Sequence, residues 1–287
     1  MDLNSAYKKC EALADSHYEN FPVAKMVPRK IRSHVAAVYA FARTADDIAD
    51  ENHETIAADS PLRVKLLDEY AAQISIALHS PAELNPKWEW IFLPVADTIK
   101  KFDIPPSLFT DLVSAFSQDV AKKRYADYDE LFDYCRRSAN PVGRLVLILH
   151  GFRDDERFAM SDAICTALQL ANFWQDMSVD RSKNRIYIPQ DQWGALAEED
   201  FFAPMASEAV RSCLCRQVIF TEELFKKGEK LPRLLPFPLS LEIRLTLAGG
   251  RAILKKIEAQ KFDTLSSRPA ITKADKLKLL LKALFSR

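Results

Sequence analysis

The sequence is poor in glycine and has no nucleotide-binding loop. Only 6 of its 287 residues are glycine, whereas an average protein has about 7%. Neither the GxGxxG pattern of dinucleotide-binding domains nor the GxxxxGK[ST] pattern of P-loops occurs, and both need glycine where the backbone approaches a phosphate. We therefore expect no Rossmann or P-loop site and no nicotinamide cofactor.

An excess of charge of either sign is also missing. Lys and Arg together number 40, as do Asp and Glu, so the formal net charge is zero. A basic excess is the usual electrostatic footprint of nucleic-acid binding. The balance predicts no nucleic-acid partner.

The chain further lacks paired cysteines and long apolar runs. The five cysteines form no CxxC and their number is odd, which favours reduced thiols over a disulfide framework or a zinc site. No run approaches the roughly 18 apolar residues of a membrane span, and the N-terminus has no apolar core of a signal peptide. The sequence predicts a cytoplasmic protein.

The hydrophobic pattern that is present is helical. Nearly every window follows a period of 3.6 residues, and alternating β-branched runs are scarce. No Ser/Gly-rich linker divides the chain, so we predict one all-α domain over residues 1–287 with about ten helices. The helices that matter below are predicted at 28–50, at 129–150 with an interruption at Asn140-Pro141, at 154–180 and at 198–230.

The first unusual feature is a stripe of functional side chains on the helix 28–50. Asp46 and Asp50 lie four residues apart and share a helix face, with Asp47 beside them. Like charges at this spacing repel by about 0.2–0.5 kcal/mol. Arg43 lies one turn earlier, and Tyr39 one turn before Arg43. Such a stripe on an otherwise apolar helix indicates a bound cation.

A second stripe has the same design. Asn172, Asp176 and Asp180 occupy positions i, i+4 and i+8, and Gln169 comes three residues before Asn172. A basic loop, 181–188, follows and contains Lys183 and Arg185. Two such faces across a cavity suit a polyphosphate bridged by metal, with the basic loop covering the phosphates.

Oxygen-only donors indicate a hard cation. Mg²⁺ takes one or two carboxylates together with waters and phosphate oxygens. A di-iron helical bundle requires two Glu-x-x-His motifs, and the chain offers a single Asp-x-x-His at 50–53, so we discard iron. Either carboxylate pair alone is compatible with a solvated helix end, and the presence of two favours the metal site.

Several aromatic residues occur near both stripes. Ring faces attract cations by roughly 0.5–2 kcal/mol, which suits Tyr39, Tyr134 and Tyr187 to a cationic intermediate. For Phe41 and Phe173 we expect core packing instead.

Together these motifs resemble the squalene/phytoene synthases, a family of all-helical prenyl-diphosphate enzymes. The resemblance runs from about Lys9 to Phe285. Its motifs are Y-A-F-A-R at 39–43, D-D-I-A-D at 46–50, Y-C-R-R-S-A-N-P-V-G at 134–143, N-F-W-Q-D-M-S-V-D at 172–180, R-I-Y-I-P at 185–189 and K-F-D-T-L-S-S-R-P-A at 261–270.

The resemblance implies an isoprenoid-synthase-type helical bundle around a central apolar cavity between the two carboxylate faces. It implies two or three Mg²⁺ ions bound by Asp46, Asp47, Asp50, Asn172, Asp176 and Asp180. The implied diphosphate-binding residues are His17, Asn20, Phe21, Arg43, Gln169, Lys183 and Arg185. The implied catalytic residues are Tyr39, Arg43, Tyr134 and Tyr187.

Local features of the sequence resemble one group of enzymes within the family. The segment S-H-Y-E-N-F-P-V-A at 16–24, together with 34–50, resembles the bacterial hydroxysqualene synthases of hopanoid biosynthesis. The implied reaction is ionisation of presqualene diphosphate, capture of the carbocation by water and release of diphosphate. The alternative within the family is head-to-head condensation of two farnesyl or geranylgeranyl diphosphates to squalene or phytoene. Gly249-Gly250 replaces a tyrosine of other members, which suggests a change in the stabilised cation or room for water.

Two further alternatives stay open. A helical interaction protein with solvated Asp faces would need neither Mg²⁺ nor diphosphate. The basic, amphipathic segment at 273–287 is predicted to pack as a last helix, with peripheral contact to the inner face of the membrane as the alternative. The resemblance also implies a prenyl diphosphate substrate and other enzymes of its pathway as partners.

Overall fold

Every regular element in the part of the chain that the structure describes is helical, which confirms the predicted all-α class. The structure is a computed structural model that describes residues 1–17, 27–50 and 61–285, with side chains at 1–16, 27–49 and 61–280. The helices are α1 Leu3–His17, α2 Arg29–Asp50, α3 Pro61–His79, α4 Glu89–Lys101, α5 Ser107–Ala121, α6 Tyr128–Ser138, α7 Asn140–Leu149, α8 Asp155–Gln175, α9 Met177–Asp180, α10 Glu208–Gly228, α11 Leu239–Ala259 and α12 Lys273–Phe285. None of these described helices is long and apolar enough to cross a membrane.

The chain groups into two compact units, each built from two stretches of sequence. The first unit contains Met1–Lys122 and Pro141–Asp154, and the second contains Lys123–Asn140 and Asp155–Arg287. The single domain predicted for residues 1–287 stays a prediction.

In the first unit, helix α2 packs against α1, α3, α4 and α5. Phe41 of α2 is fully buried, as expected for a core residue. Its ring contacts Tyr70, Phe92 and Phe109 at centroid distances of 5.2, 5.8 and 5.1 Å. These contacts hold α2, and with it the first carboxylate stripe, in the middle of the unit.

In the second unit, α8 packs against α10, α11 and α6. Trp174 near the end of α8 is fully buried, and its indole N–H donates to the hydroxyl of Thr221 on α10 at 2.8 Å. Phe173 is 6% exposed, which confirms its expected place in the core. The end of α8, where the second stripe begins, is therefore firmly anchored.

The predicted helix at 129–150 is divided into α6 and α7. Ala139 separates them, and Pro141 is the second residue of α7. Proline is tolerated in the first turn of a helix, where its missing N–H has no intrahelical partner. The predicted interruption is therefore a full break between two helices.

Two other predicted helices were too long. The helix at 154–180 breaks at Asp176, whose dihedrals are φ −98° and ψ 11°. The helix at 198–230 was wrong at its start, because Glu198–Phe202 is a 3-10 turn and α10 begins only at Glu208. Ser207 caps α10 by accepting from the N–H of Val210 at 3.3 Å, and Pro204 disfavours helical backbone just before it.

Candidate active site

The first carboxylate stripe is present on α2 and is paired with arginine. Arg43 Nη2 lies 2.5 Å from Asp47 Oδ1, and its Nη1 lies 3.4 Å from Asp46 Oδ2. All three side chains are partly exposed, at 30–43%. The guanidinium offsets the repulsion between the two aspartates and leaves the group open to solvent.

Tyr39 lies one turn before Arg43 and is half-buried. It packs against the apolar cluster between α1 and α2, which includes Cys10, Ala36 and Ala40. Burial raises the pKa of its phenol, so the ring is neutral at physiological pH. The side chain of Asp50 and the segment with His17, Asn20 and Phe21 lie outside the described side chains, and their predicted roles stay predictions.

The end of α2 is held by an arginine that sequence reasoning missed. Arg63, in the first turn of α3, is 1% exposed. Its Nη1 donates to the carbonyls of Ile48 and Ala49 at 3.1 and 2.9 Å. The last carbonyls of a helix have no intrahelical donor, so Arg63 satisfies them and fixes the turn that contains Asp46 and Asp47.

The second stripe keeps its spacing despite the helix break. The N–H of Asp176 donates to the carbonyl of Asn172 at 2.9 Å, and the N–H of Asp180 donates to the carbonyl of Asp176 at 2.8 Å. At the break, the N–H of Ser178 donates to the carbonyl of Thr264 at 3.2 Å. The three predicted positions therefore remain one turn apart, with Asn172 exposed and both aspartates half-buried.

Asp176 has a partner that was not among the predicted site residues. Arg268 Nε lies 2.5 Å from Asp176 Oδ1, and Arg268 Nη2 lies 3.4 Å from Oδ2. Arg268 belongs to the K-F-D-T-L-S-S-R-P-A segment, so the family resemblance was the signal that could have found it. Each carboxylate stripe thus has an arginine partner on at least one of its aspartates.

The basic loop begins as a 3-10 turn at Arg181–Lys183 and reverses direction at Asn184, which has a left-handed backbone with φ 55°. Lys183 is exposed, whereas Arg185 is 9% exposed. Arg185 and Asp180 line one pocket together with Tyr187 and Trp174. Gln169, two turns before the end of α8, is half-buried. The second unit therefore brings Asp180 and Arg185 together.

Two of the predicted tyrosines meet in an aromatic cluster of the second unit. Tyr187 stacks on Phe173 with ring centroids 3.7 Å apart and an interplanar angle of 7°. Tyr134 contacts Phe173 at 6.0 Å and Tyr187 at 6.4 Å. Tyr125, which was not singled out in the sequence, stacks on Tyr187 at 5.8 Å. The cluster offers negative ring faces to a cation in an apolar environment.

The chemistry of the donors fits Mg²⁺. No group of three His, Cys, Asp or Glu side chains suited to a metal ion occurs among the described residues. The carboxylates come instead in pairs, each with an arginine. Mg²⁺ is usually bound by one or two carboxylates and completes its octahedron with water and phosphate oxygens, so each stripe provides a fitting partial set.

Comparisons with known proteins show the family to which the chain belongs. The model of the squalene/phytoene synthase family matches residues 13–275. The chain is 36% identical to a hydroxysqualene synthase of Rhodopseudomonas palustris over 87% of this chain and 82% of that protein. It is 36% identical to one of Sinorhizobium fredii, over 84% and 80%, and 32% identical to one of Zymomonas mobilis, over 94% and 88%.

Solved structures share the fold. A crystal structure described as squalene synthase HpnC from Alicyclobacillus acidocaldarius superposes with a TM-score of 0.81 at 38% identity, covering 91% of this chain and 95% of that one. A dehydrosqualene synthase solved in complex with a ligand has a TM-score of 0.79 at 18% identity, covering 98% and 96%. The second likeness concerns the fold alone.

Proposed function

Since this chain belongs to the squalene/phytoene synthase family, we propose that it is a hydroxysqualene synthase. The reaction would convert presqualene diphosphate and water into hydroxysqualene and diphosphate. One observation carries the proposal: three relatives named hydroxysqualene synthase are 32–36% identical, and this chain covers 80–88% of each.

We propose that Asp46, Asp47 and Asp50 form one Mg²⁺-binding set and that Asn172, Asp176 and Asp180 form another. Bound Mg²⁺ supplies Lewis-acid stabilisation of the negative charge that develops on a leaving diphosphate. The cationic side chains would add charge-assisted hydrogen bonds to the phosphate oxygens. The arginines that now pair with aspartates, Arg43 and Arg268, support this role, as do Lys183 and Arg185 of the basic loop.

The proposed reaction needs no reductant. The C–O bond to the diphosphate breaks and the cyclopropane ring opens to a carbocation. Water then forms a new C–O bond and loses a proton. Tyr134 and Tyr187 are placed in an apolar aromatic cluster, and this supports a role in stabilising the cation, since ring faces attract positive charge most strongly when desolvated.

A second candidate reaction is squalene synthesis, because the solved relative at 38% identity is described as a squalene synthase. Product analysis separates the two. The purified protein is incubated with presqualene diphosphate or farnesyl diphosphate, each with and without NADPH, and products are identified by mass spectrometry. We expect hydroxysqualene from presqualene diphosphate without NADPH. Squalene formed from farnesyl diphosphate only when NADPH is present would replace the proposal with the second candidate.

The diphosphate site is tested separately from the product. We expect Mg²⁺ plus inorganic diphosphate to raise the melting temperature, and Asp46→Asn or Asp176→Asn to abolish that rise. Asp133→Asn is the matched control, because Asp133 is also an aspartate paired with arginines but lies exposed on α6. The absence of any Mg²⁺-dependent effect on the unmodified protein would favour a helical interaction protein.

A further inference from the structure

The basic loop and the residues that directly follow it are hydrogen-bonded to a short segment, 123–126, that comes just after α5 in the chain. The N–H of Ile186 donates to the carbonyl of Lys123 at 3.1 Å, and the N–H of Gln190 donates to the carbonyl of Tyr125 at 2.9 Å. The N–H of Asp191 donates to the carbonyl of Ala126 at 3.0 Å. Residues 123–126 therefore run beside the loop and fix its backbone.

Arg124 in this segment contacts the tip of the loop with the two terminal nitrogens of its guanidinium. Its Nη1 donates to the carbonyl of Asn184 at 2.6 Å, and its Nη2 donates to Asn184 Oδ1 at 2.8 Å. Such a two-point contact uses the planar fork that only arginine has. It fixes the backbone and the side chain of one residue at the same time.

The guanidinium is itself held from the other side. Arg124 Nη2 also donates to Glu198 Oε1 at 2.6 Å, and the guanidinium lies 5.5 Å from the ring centroid of Phe202. The hydrogen bond from Arg124 lowers the pKa of the Glu198 carboxyl. With only 17% of its side chain exposed, Arg124 is held in place by contacts within the protein itself.

Asn184 is the residue at which the loop reverses. Its left-handed backbone (φ 55°) is unfavourable for most L-residues and is tolerated best by Gly, Asn and Asp. Two backbone hydrogen bonds close the turn. The N–H of Asn184 donates to the carbonyl of Arg181 at 3.0 Å, and the N–H of Arg185 donates to the carbonyl of Asp180 at 2.9 Å. The direction of the chain at Asn184 therefore decides where Arg185 lies relative to Lys183 and Asp180.

We propose that Arg124 is a positioning residue, which holds the left-handed turn at Asn184 so that Arg185 and Lys183 are oriented toward a diphosphate. The inference rests on the proposed function, because it assumes that the loop binds that group. Binding to a loop that is already ordered loses less conformational entropy. Loss of Arg124 should thus weaken diphosphate binding even though Arg185 and Lys183, the basic side chains that contact the diphosphate, are unchanged.

The test compares conservative variants by calorimetric titration with Mg²⁺ and inorganic diphosphate. Arg124→Lys keeps the charge but cannot make the two-point contact. We expect its dissociation constant to rise about 10–100-fold, which is the typical loss when a residue that orients a ligand-binding side chain is mutated. Asn184→Gly keeps the left-handed turn and loses the amide contact, so it should show a smaller rise. Arg136→Lys is the matched control, since Arg136 makes an exposed ion pair with Asp133, and it should bind like the unmodified protein.

A double-mutant cycle separates positioning from general stabilisation. If Arg124 acts through Arg185, the effects of Arg124→Lys and Arg185→Gln on binding are strongly non-additive. Additive effects, or an unchanged dissociation constant in Arg124→Lys, would overturn the proposal while leaving the proposed function intact. If Arg124→Lys does not fold, Asn184→Gly provides the same cycle. A complete lack of diphosphate binding by the unmodified protein would overturn both proposals.

Discussion

Gly249 and Gly250 are neighbours in the interior of α11, but a methyl group would meet different surroundings at the two positions. A Cβ at Gly250 would lie 2.5 Å from Phe225 Cζ and 2.8 Å from Leu168 Cδ2, whereas a Cβ at Gly249 would meet nothing within 4 Å. The room for water that the sequence suggested at Gly250 is therefore absent, because the ring of Phe225 fills it. Open space exists at Gly249 instead.

Alanine substitutions at the two glycines should have opposite effects on stability. Gly249→Ala should raise the free energy of unfolding by about 0.5–1 kcal/mol, since glycine is unfavourable inside a helix. Gly250→Ala has the same helix-propensity gain but forces two packed side chains aside, and overpacking costs typically about 1–3 kcal/mol. Urea unfolding of both variants measures the difference. Equal stabilisation by both would contradict the tight packing of Phe225 and Leu168 around Gly250.

Sequence patterns located the residues that are close in sequence and missed those that are distant. Arg43 lies within four residues of Asp46 and Asp47, so helical spacing predicts their contact. Arg268 is 92 residues from Asp176, and Arg124 is 60 residues from Asn184. No local period connects such pairs, because their contact depends on how helices and loops pack.

At the scale of elements, a buried arginine rather than water donates to carbonyls in the last turn of α2. The carbonyls of Ile48 and Ala49 accept from Arg63 Nη1, and a cation also interacts favourably with the negative end of the helix dipole. Arg153 makes a comparable contact at an exposed place, where its guanidinium donates to the carbonyls of Phe102 and Asp103. Each guanidinium therefore donates to two consecutive backbone carbonyls, Arg63 at a buried place and Arg153 at an exposed one.

Arg63→Met should destabilise the protein far more than Arg153→Met. Two buried carbonyls lose this donor in the first variant, and each buried group left unsatisfied costs about 1–3 kcal/mol. In the second variant water replaces the donor, so we expect a loss below about 1 kcal/mol. Urea unfolding gives both values. Losses of similar size would mean that the burial of Arg63 does not determine its contribution.

Helices α1, α2 and α4 meet at a buried histidine whose tautomer is assigned by its neighbours. Lys101 Nζ lies 3.2 Å from His34 Nε2 and can only donate. The ring proton is therefore on Nδ1, which lies 2.8 Å from the Tyr7 hydroxyl and 2.9 Å from Thr98 Oγ1. Tyr7 in turn donates to Asp97 Oδ2 at 2.7 Å. The network is complete only while His34 is neutral.

Acid should weaken this junction. Burial, and then the charge of Lys101, lower the pKa of His34 below 6.5, while Asp97 acts in the opposite direction. The unfolded chain therefore takes up the proton first as the pH falls, and the free energy of unfolding decreases below about pH 6.5. Lys101→Met removes the repulsion between Lys101 and a protonated His34, so this variant should lose less stability than the unmodified protein between pH 7.5 and 5.5. Lys100→Met, an exposed neighbour on the same helix, should follow the unmodified protein, and parallel curves for all three would refute this role of His34.

The helix boundaries show which signals the sequence contains. Asn140-Pro141 predicted an interruption of the helix at 129–150, and the boundary between α6 and α7 lies there. The break at Asp176 had no such local signal, because it accompanies a hydrogen bond from Ser178 to the carbonyl of Thr264, 86 residues later. Long-range contacts of this kind override helix propensity, so only the spacing of the second stripe was predictable.

Across the whole molecule, one element lies almost entirely beyond the match to the family. The match ends at residue 275, whereas α12 runs from Lys273 to Phe285. None of its described side chains is buried, and Leu277 is 59% exposed. Lys276 and Lys278 flank this leucine and are exposed as well. An exposed apolar residue between lysines fits the surface of an anionic membrane, where burial of the apolar side chain and attraction of the lysines to anionic lipids both favour binding.

We therefore expect the protein to float with vesicles that contain phosphatidylglycerol and not with neutral phosphatidylcholine vesicles. Each lysine near an anionic surface contributes about 1 kcal/mol, so Lys276→Glu with Lys278→Glu should weaken binding at least about thirtyfold. Lys226→Glu with Lys227→Glu makes the same change in net charge on α10 and should leave flotation unchanged. Equal losses in both double variants would assign the attraction to net charge, and equally strong binding to neutral and anionic vesicles would rule out the electrostatic contribution of α12.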